Sequence, residues 1–576
     1  MSSNTDFMQA KIIIHLLSPS GDVISPKEAK NIVLLLQSED VANQQLGYTF
    51  LERLLVKFPA GKYELIFPKD NLNQVFEQLL DTNLHTLEIH EQPDLWPLPK
   101  AFGHMKMLKG VILRKMNIQE LPATIYEFKD LEILDLADNY WANPGWYNDE
   151  KYHIKLDPRI AEFSELRKLD LSGNQLKLGD FPENLAQLTK LEHIGLSGNF
   201  LGKIPDFVYQ YPRLKVLEMA STGLSSQRGK ESLYSQFSRL VALKDLEKID
   251  ISVNYNGIDS IPSEWQQLTK LKHLQLNDNW LKELPEELME LPSLQHIALE
   301  NNELKTLPES FGNLPLVDET LNLSNNELEY LPESICQWTH LKELDVSGNK
   351  LKMLPEELGN LVSVEELKLR QNLLTELPTS LEKLTKLKGK IVLTENKLTQ
   401  LPPFLLKLPH ITELELSNNK ITDIPAEIKS LKRLRLLNLE QNKLTSLPES
   451  IVELTQLRTL RLARNKLKTL PEAITLLPIE LLTLEKNKLE KLPEDFGNFK
   501  KIGTHLNLSY NKLTTLPESL SALTQLQELN LARNLLPHLP DFWDKFKRMY
   551  TLNLSYNQLK ELPDSIGHMQ SLGMEN

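Results

Sequence analysis

The amino-acid sequence predicts an α/β solenoid, a stack of short coils in which each coil supplies one strand and one short helical turn. Three observations predict this fold. From Asn279 to Asn557 apolar residues recur with a period of 22 to 24 residues, one asparagine recurs at the same point of each period, and a Leu-Pro step follows it. Coils of this kind stack into a curved horseshoe, with a parallel sheet on the concave face and short helices or 3-10 turns on the convex face.

The repeat is clearest in residues 341–363 and 434–456, which both read LxxLxLxxNxLxxLP. Its asparagine recurs at Asn139, Asn174, Asn199, Asn254, Asn279, Asn302, Asn326, Asn349, Asn372, Asn396, Asn419, Asn442, Asn465, Asn487, Asn511, Asn534 and Asn557. Weaker repeats carry Gln92, Met116 and Thr222 at the same point, which brings the array to about 20 repeats.

Each letter of the repeat has a physical reason. The leucines of LxxLxL alternate with polar residues, as in a half-buried strand. The asparagine is expected to be buried and to hydrogen-bond the backbone of adjacent coils, so that stacked coils form an asparagine ladder. The proline fixes φ and cannot donate a backbone hydrogen bond, which favours a switch to a short helix or 3-10 turn. The glutamate that often follows it then lies near a helix N-terminus, where negative charge is favoured, so it is interpreted as structural.

These residues and this spacing resemble the leucine-rich-repeat family, in particular its intracellular LPxx type with 23-residue repeats. The resemblance covers residues 83–576. Similar repeats occur in Ras-binding scaffold proteins, in plant Ras-group repeat proteins and in bacterial Roco proteins. The resemblance implies a non-catalytic protein–protein interaction scaffold that binds its partner through the concave face and projecting loops. The alternative is a signalling regulator or effector that acts on a small GTPase or a host protein.

The first 82 residues lack the repeat and are predicted to form a helical N-terminal cap or small domain, which precedes the repeat array of residues 83–576. Ser25 and Glu28 flank Pro26 in a Ser-x-x-Glu capping box. Helices are predicted over residues 26–37, 41–57 and 71–81. A coil cannot bury its leucines alone. The last coil is therefore expected to be poorly covered, or to be covered by a partner or a second copy.

Two insertions interrupt the array, near 142–155 and 225–237. Insertions in a repeat scaffold are expected in loops, and aromatic side chains on exposed loops are over-represented at binding hot spots. In and beside the first insertion the candidate partner-binding residues are Tyr140, Trp146, Tyr147 and Tyr152. The alternative is that these aromatic side chains fold over the flank of the solenoid, which is favoured for Trp141.

The concave surface is the second candidate site, because its solvent-facing strand positions are polar. In the first half these positions hold Asp135, Asp170, Glu218 and Asp250, and farther along Asn438, Arg461, Thr483, Asn507, Asn530 and Asn553. The residue after the ladder asparagine is aromatic early on (Tyr140, Phe200, Tyr255, Trp280) and later often lysine. From this surface and its rim we select Phe200, Trp280, Asp170, Asp250, Arg461, Arg464, Lys486 and Arg533 as candidates. The alternative is that the basic residues only balance nearby glutamates.

No pattern in the sequence supports catalysis. Phosphate-binding, dinucleotide-binding and kinase motifs are absent, and so are paired cysteine or His-Glu-x-x-His metal motifs. The net charge of −13 argues against a duplex DNA binder, which usually needs a basic face. The sequence therefore predicts no enzyme activity, no cofactor, no metal, no nucleic-acid partner and a protein partner of unknown identity. It leaves the oligomeric state open.

The sequence also predicts a cytoplasmic location. Its single cysteine, Cys336, cannot form an intrachain disulfide. The N-terminal apolar patch from Ile12 to Leu17 is broken by His15 and is too short for a signal peptide. No apolar run approaches the length of a membrane span.

Overall fold

The chain forms two compact units. Unit 1 comprises Met1–Ala298 with Leu314–Leu316, and unit 2 comprises Leu299–Asn313 with Val317–Asn576. The computed structural model describes residues 9–16, 25–36, 38, 42–43, 46–47, 61–68, 79, 84–90, 100–105, 107–116, 118, 121–139, 156–225, 232–255 and 257–569.

The described part of unit 1 contains one sheet of eleven strands. They are β1 (Gln9–Leu16), β2 (Gly61–Pro68), β3 (Leu84–His90), β4 (Gly110–Arg114), β5 (Ile133–Asp135), β6 (Lys168–Asp170), β7 (His193–Gly195), β8 (Val216–Glu218), β9 (Lys248–Asp250), β10 (His273–Gln275) and β11 (His296–Ala298). From β3 to β11 the neighbours are parallel and follow chain order, as expected for stacked coils. Two α-helices accompany them, α1 (Pro26–Leu36) and α2 (Leu233–Arg239).

The N-terminal segment is not only helical, which corrects the prediction for residues 1–82. Strand β1 pairs antiparallel with both β2 and β3 and so extends the sheet. Its isoleucine run, and the Tyr and Ile of β2, prefer a strand once a sheet edge is available to pair with. The helix predicted over 26–37 is confirmed as α1, and its capping box is formed by two reciprocal bonds. The Ser25 N–H donates to Glu28 Oε2 (2.9 Å) and the Glu28 N–H to Ser25 Oγ (3.3 Å). The helices predicted over 41–57 and 71–81 lie largely outside the described residues.

Unit 2 contains a sheet of eight parallel strands and a sheet of three within its described residues. The first sheet consists of β12 (Thr320–Asn322), β13 (Glu343–Asp345), β14 (Glu366–Lys368), β15 (Lys390–Val392), β16 (Glu413–Glu415), β17 (Leu436–Asn438), β18 (Thr459–Arg461) and β19 (Leu481–Thr483). The second consists of β20 (His505–Asn507), β21 (Glu528–Asn530) and β22 (Thr551–Asn553).

The coils of both units return through short 3-10 helices, which confirms the predicted solenoid. In unit 1 these are Lys100–His104, Ala123–Glu127, Pro158–Glu162, Leu178–Asp180, Glu183–Gln187, Asp206–Gln210, Leu240–Ala242, Ser263–Gln267 and Glu286–Glu290. In unit 2 they are Phe311–Asn313, Glu333–Gln337, Leu358–Asn360, Thr379–Lys383, Pro403–Lys407, Ala426–Ser430, Glu449–Glu453, Glu472–Leu476, Phe496–Asn498, Glu518–Ala522, Trp543–Lys545 and Asp564–His568. Many begin directly after the proline of the repeat. Pro285, for example, caps the turn that Glu286 opens.

The predicted asparagine ladder is present in both units. In a representative coil, Asn419 Nδ2 donates to the carbonyl of Leu416 in its own coil (3.0 Å) and to that of Leu393 in the preceding coil (2.9 Å). Its Oδ1 accepts from the Leu398 N–H of the preceding coil (3.0 Å). The ladder asparagines from Asn139 to Asn534 are at most 8% exposed. A buried amide can stay at this position because it pairs backbone groups that the bend would otherwise leave unsatisfied.

The two insertions differ in what the structure describes. The first, near 142–155, lies outside the described residues. The second, near 225–237, is described at residue 225 and from residue 232 onward, where it forms most of α2 with Leu233 and Phe237 buried. Gln236 of this helix accepts a hydrogen bond from the Ile204 N–H (2.9 Å), so α2 is anchored to a neighbouring coil.

Among the helices that the structure describes, none combines the length and the apolar character needed to cross a membrane.

Candidate functional site

In each unit the solvent-facing side of the strands forms a polar surface, which we call the strand face. The middle residue of a strand points into the core, as with Leu169, Leu274 and Leu529, which are fully buried. The third residue is often aspartate or asparagine, and its Oδ1 accepts a hydrogen bond from the backbone N–H two residues later; we call it the cap position. Such bonds of 2.9 to 3.2 Å occur at Asp135, Asp170, Asp250, Asn322, Asp345, Asn438, Asn507, Asn530 and Asn553.

Two aspartates at the cap position of unit 1, Asp135 and Asp170, are compensated by cations of neighbouring strands. Arg114 donates to both carboxylate oxygens of Asp135 (2.9 and 2.5 Å) and to Asp170 (3.3 Å). Lys168 Nζ lies 3.3 Å from Asp135. Burial by itself would raise the pKa of Asp135, but the hydrogen bonds and charge of Arg114, aided by Lys168, leave that pKa below its usual range.

A second compensated group lies two strands further along the same sheet. His193 Nε2 lies 3.1 Å from one carboxylate oxygen of Glu218, and Lys248 Nζ donates to the other (2.6 Å). The hydrogen bond from His193 and, after it, that from Lys248 outweigh partial burial and lower the pKa of Glu218 to about 2. Gly195, between the strands of Asp170 and Glu218, has no room for a side chain, because a Cβ would lie 2.3 Å from Asp170 Oδ1.

Asp170, His193 and Glu218 are the described residues whose grouping could hold a metal ion, with ligand atoms within 4.8 Å of one another. Lys248 already neutralises Glu218, and Arg114 already donates to Asp170. A cation placed there would compete with these two groups. Ion pairing therefore accounts for the cluster.

An aromatic row in unit 1 includes two of the sequence candidates. Phe200 is 59% exposed, Tyr255 58% and Trp280 43%. The Tyr255 hydroxyl donates to Asp278 Oδ1 (3.2 Å). The structure also places the candidate Asp250 at a cap position, where Ser252 donates to it through its N–H (3.1 Å) and its hydroxyl (2.7 Å). The candidates Tyr140, Trp146, Tyr147 and Tyr152, together with Trp141, lie outside the described residues.

The eight-stranded sheet of unit 2 carries charges of both signs that pair across neighbouring coils. Lys368 donates to Glu343 (2.5 Å), and Lys390 lies 3.3 Å from Glu413. A hollow of about 340 Å³ opens between β14 and β15, where a single residue pair, Lys368 with Val392, joins the strands. Leu367 and Val392 contribute apolar surface to it, and Lys368, Arg370, Lys388 and Lys390 line its rim.

The four candidate cations toward the C-terminal end of unit 2 are different, because among the described residues they have no carboxylate partner. Within the described residues, no carboxylate lies within 4.0 Å of the side-chain nitrogens of the candidates Arg461, Arg464, Lys486 and Arg533. Two of them contact aromatic rings instead. Lys486 Nζ lies 5.4 Å from the centroid of Tyr510, and the Arg533 guanidinium lies 5.0 Å from Tyr510 and 4.1 Å from Tyr556.

We call Lys486, Tyr510, Arg533 and Tyr556 the cation–aromatic row, and Asn507, Asn530 and Asn553 the Asn row. The two tyrosines were not among the sequence candidates, although they precede the ladder asparagine just as Arg464, Lys486 and Arg533 do. Comparing that one position between repeats would have revealed them. Tyr510 is 46% and Tyr556 71% exposed.

The single thiol is unsuited to nucleophilic chemistry. Cys336 is buried in the turn Glu333–Gln337. Burial raises its pKa to about 11, so little thiolate is present near neutral pH.

Family models described as "Leucine rich repeat" match residues 244–304, 390–444, 426–467 and 478–536, and residues 165–188, 319–338, 340–361 and 548–569. The chain is built of leucine-rich repeats. Their strands form the strand face, and their asparagines form the ladder that holds it.

Solved leucine-rich-repeat structures are similar to this chain over most of its length. The plant peptide hormone receptor RGFR1, solved in complex with RGF2, is 25% identical, with a TM-score of 0.64 over 84% of this chain and 76% of the receptor chain. A leucine-rich-repeat protein of Leptospira interrogans is 29% identical, with a TM-score of 0.50 over 72% of this chain and 96% of its own.

A curated relative, Receptor-like protein 39 of Arabidopsis thaliana, is 25% identical over 124 residues. That match spans 21% of this chain and 13% of the relative.

Proposed function

We propose that this leucine-rich-repeat protein is a non-catalytic scaffold that binds a protein partner through its strand face. The observation that carries the proposal is the strand face itself. It presents charged, amide and aromatic side chains to solvent, while the ladder holds the backbone beneath them through side-chain hydrogen bonds in successive coils. A surface held in this way loses little conformational entropy when a partner binds.

Two further observations support the proposal. Leucine-rich-repeat relatives include a receptor solved with a peptide hormone, so a fold of this type binds peptides in at least one relative. Asp135 and Glu218, two carboxylates of unit 1 with lowered pKa values, form ion pairs with side chains of neighbouring strands.

We further propose that the protein works in the cytoplasm, which a single cysteine with no disulfide partner supports. A role as a signalling regulator or effector, acting on a small GTPase or a host protein, is the alternative that the sequence resemblance suggests. Both roles require the same strand face, so the first experiment is common to them.

Site-specific photo-cross-linking tests the proposal. A cross-linking amino acid is placed at Thr320 or at Thr459, each the first residue of a strand, and, as a matched control, at Glu427 on the 3-10 turn Ala426–Ser430. We expect a discrete cross-linked protein from cytosol with Thr320 or Thr459 and none with Glu427. Equal cross-linking from Glu427 would contradict binding through the strand face.

A further inference from the structure

The Asn row presents a line of hydrogen-bond donors to solvent. Asn507, Asn530 and Asn553 are paired in register in adjacent strands, which places them ~4.8 Å apart in the hydrogen-bonding direction. In each residue Oδ1 accepts the N–H two residues later (3.0 to 3.1 Å), and this bond fixes the orientation of the amide. The three Nδ2 groups therefore face outward, and none of them donates to a protein acceptor among the described residues.

The cation–aromatic row runs beside the Asn row, three residues further along each coil. Arg533 lies between the rings of Tyr510 and Tyr556, and Lys486 approaches Tyr510 from the preceding coil. These contacts hold the cations in place without neutralising them. A guanidinium stacked in this way keeps its N–H donors available for a carboxylate.

The backbone at this row is strained. Tyr510, Arg533 and Tyr556 have φ values of 55° to 57°, a region that costs a non-glycine residue about 1 kcal/mol or more. Glycine occupies the equivalent position at Gly173 and Gly198 of unit 1. The same left-handed φ recurs before the ladder asparagine in other coils, for example at Glu395, Asn418 and Gln441, so it belongs to the turn of the repeat and fixes where each side chain of the row leaves the backbone.

In the last three coils the surface between the two rows carries small residues, whereas the coil of Lys486 has Glu485 at that position. Ser509, Ala532 and Ser555 separate the rows, and the segments 507–510, 530–533 and 553–556 contain no aspartate or glutamate. In this protein of net charge −13, the two rows thus form a strip of donors and uncompensated cations.

We propose that this strip binds an acidic peptide segment of a partner protein in extended conformation. Arg533 and Lys486 bind carboxylates of the segment, and the Asn row donates to its carboxylate or backbone carbonyl oxygens. The inference rests on the proposed function and names the chemistry of the partner. Arginine and tyrosine are also the side chains that most often dominate binding energy at protein interfaces.

The same contacts disfavour single-stranded nucleic acid, the other anionic polymer that basic and aromatic residues commonly bind. Bases bind such proteins by stacking on open aromatic faces. In this strip two cations already lie over the Tyr510 ring, Lys486 from the preceding coil and Arg533 from the following coil. One face of Tyr556 is covered by Arg533.

The experiment measures binding of a fluorescein-labelled peptide of alternating glutamate and serine to the full chain by fluorescence anisotropy at low ionic strength. Two variants test the strip: K486Q/R533Q, and N507D/N530D/N553D. The second variant should keep the cap hydrogen bond, because aspartate forms the same bond at Asp250 and Asp345. It replaces the three outward amide donors by negatively charged oxygens. The matched control is N498D, on the 3-10 turn Phe496–Asn498 and away from the strand face.

We expect the wild type and N498D to bind the peptide with affinities within about twofold, and each strip variant to bind at least about tenfold more weakly, since charge-assisted contacts are lost or reversed. Circular dichroism checks that the variants fold. No binding by the wild type, unchanged binding by a folded strip variant, or tighter binding of an oligothymidylate of equal charge would each overturn the proposal. If it fails while the cross-links from Thr320 or Thr459 persist, the proposed function stands and only this partner chemistry is lost.

Discussion

The strand face of unit 1 and the three-stranded sheet of unit 2 share the same hydrogen bond at the cap position, but the cap residues that form it differ in charge. In both, the cap residue accepts the N–H two residues later, as at Asp170 and Asn530. At Asp170 of unit 1 the second carboxylate oxygen lies 3.3 Å from an Arg114 nitrogen and 4.0 Å from Lys168 Nζ. In the three-stranded sheet the cap residue is asparagine, and its amide nitrogen has no acceptor among the described residues.

Polar side chains on a repeat surface can therefore bond either to neighbouring coils or to a partner. The carboxylates of Asp135, Asp170 and Glu218 accept hydrogen bonds from cationic side chains of neighbouring coils, and these bonds join adjacent strands. The Asn row and the cation–aromatic row keep donors that only a partner can satisfy. Exposed charge alone therefore does not mark a binding surface, and the pairing state of each charge is the more informative property.

The largest expected effect comes from removing a cation in unit 1. Substituting Arg114→Met leaves Asp135, whose side chain is 1% exposed, with only Lys168 as its cationic partner. A buried carboxylate that loses its main partner costs about 3 kcal/mol. We expect backbone amides of β5 and β6 to exchange about a hundredfold faster in hydrogen-exchange mass spectrometry.

The matched variant is Arg533→Met, which removes an exposed cation that has no carboxylate partner and should change amide exchange in β21 less than about twofold. A similar acceleration of amide exchange in Arg114→Met and Arg533→Met would contradict the proposed difference in charge pairing between the two surfaces.

The ladder provides the effect that both regions share. Asn174→Ala in unit 1 and Asn419→Ala in unit 2 each remove an amide that donates to carbonyls of two successive coils and accepts a backbone N–H of the preceding coil. Each should lower local stability by about 1–3 kcal/mol, because buried backbone groups lose their partners. Amide exchange around each site measures the loss. An unchanged exchange rate at either site would mean that water replaces the amide there.

The smallest effect is the pH dependence of Glu218. Its pKa of about 2, against an ordinary value of 4.5, means that the folded state favours the charged form. The stabilisation is therefore complete above pH 4.5 and is lost as the pH falls toward 2. We expect Glu218→Gln to cost about 1–2 kcal/mol at neutral pH, after allowance for the partial exposure of the three side chains.

Thermal melting of wild type and Glu218→Gln at several pH values measures this cost. The difference between their melting temperatures should narrow below pH 4.5. A difference that stays constant down to pH 3 would show that packing, and not ionisation of Glu218, accounts for it.

The sequence predicted the features that repeat in every coil. The ladder, the parallel strands and the turn after each proline follow from local chemistry that recurs with a constant period, so one coil predicts the next. The ion pair of Arg114 with Asp135 did not follow, because it joins residues of different coils and depends on strand register. Of the cation–aromatic row, the sequence predicted the cations Lys486 and Arg533 as candidate binding residues. It did not predict Tyr510 and Tyr556, although they occupy the same position of the repeat.

Two misplaced elements have the same origin. Strands β1 and β2 formed where helices or loops were expected, because they pair with a sheet edge that lies distant in sequence. The second insertion was expected to form a loop. Part of it instead forms α2, whose side chains Leu233 and Phe237 are buried. Both outcomes depend on tertiary contacts, which override local preference.

The ladder also has a direction. The Oδ1 of Asn419 completes the coil before it, by accepting the Leu398 N–H, and the Oδ1 of Asn442 does the same for the coil of Asn419 through Ile421. Truncation at a coil boundary of this kind would thus leave a buried N–H donor of the last retained coil without its acceptor. Shortened versions of this array will need a closing coil that brings its own asparagine.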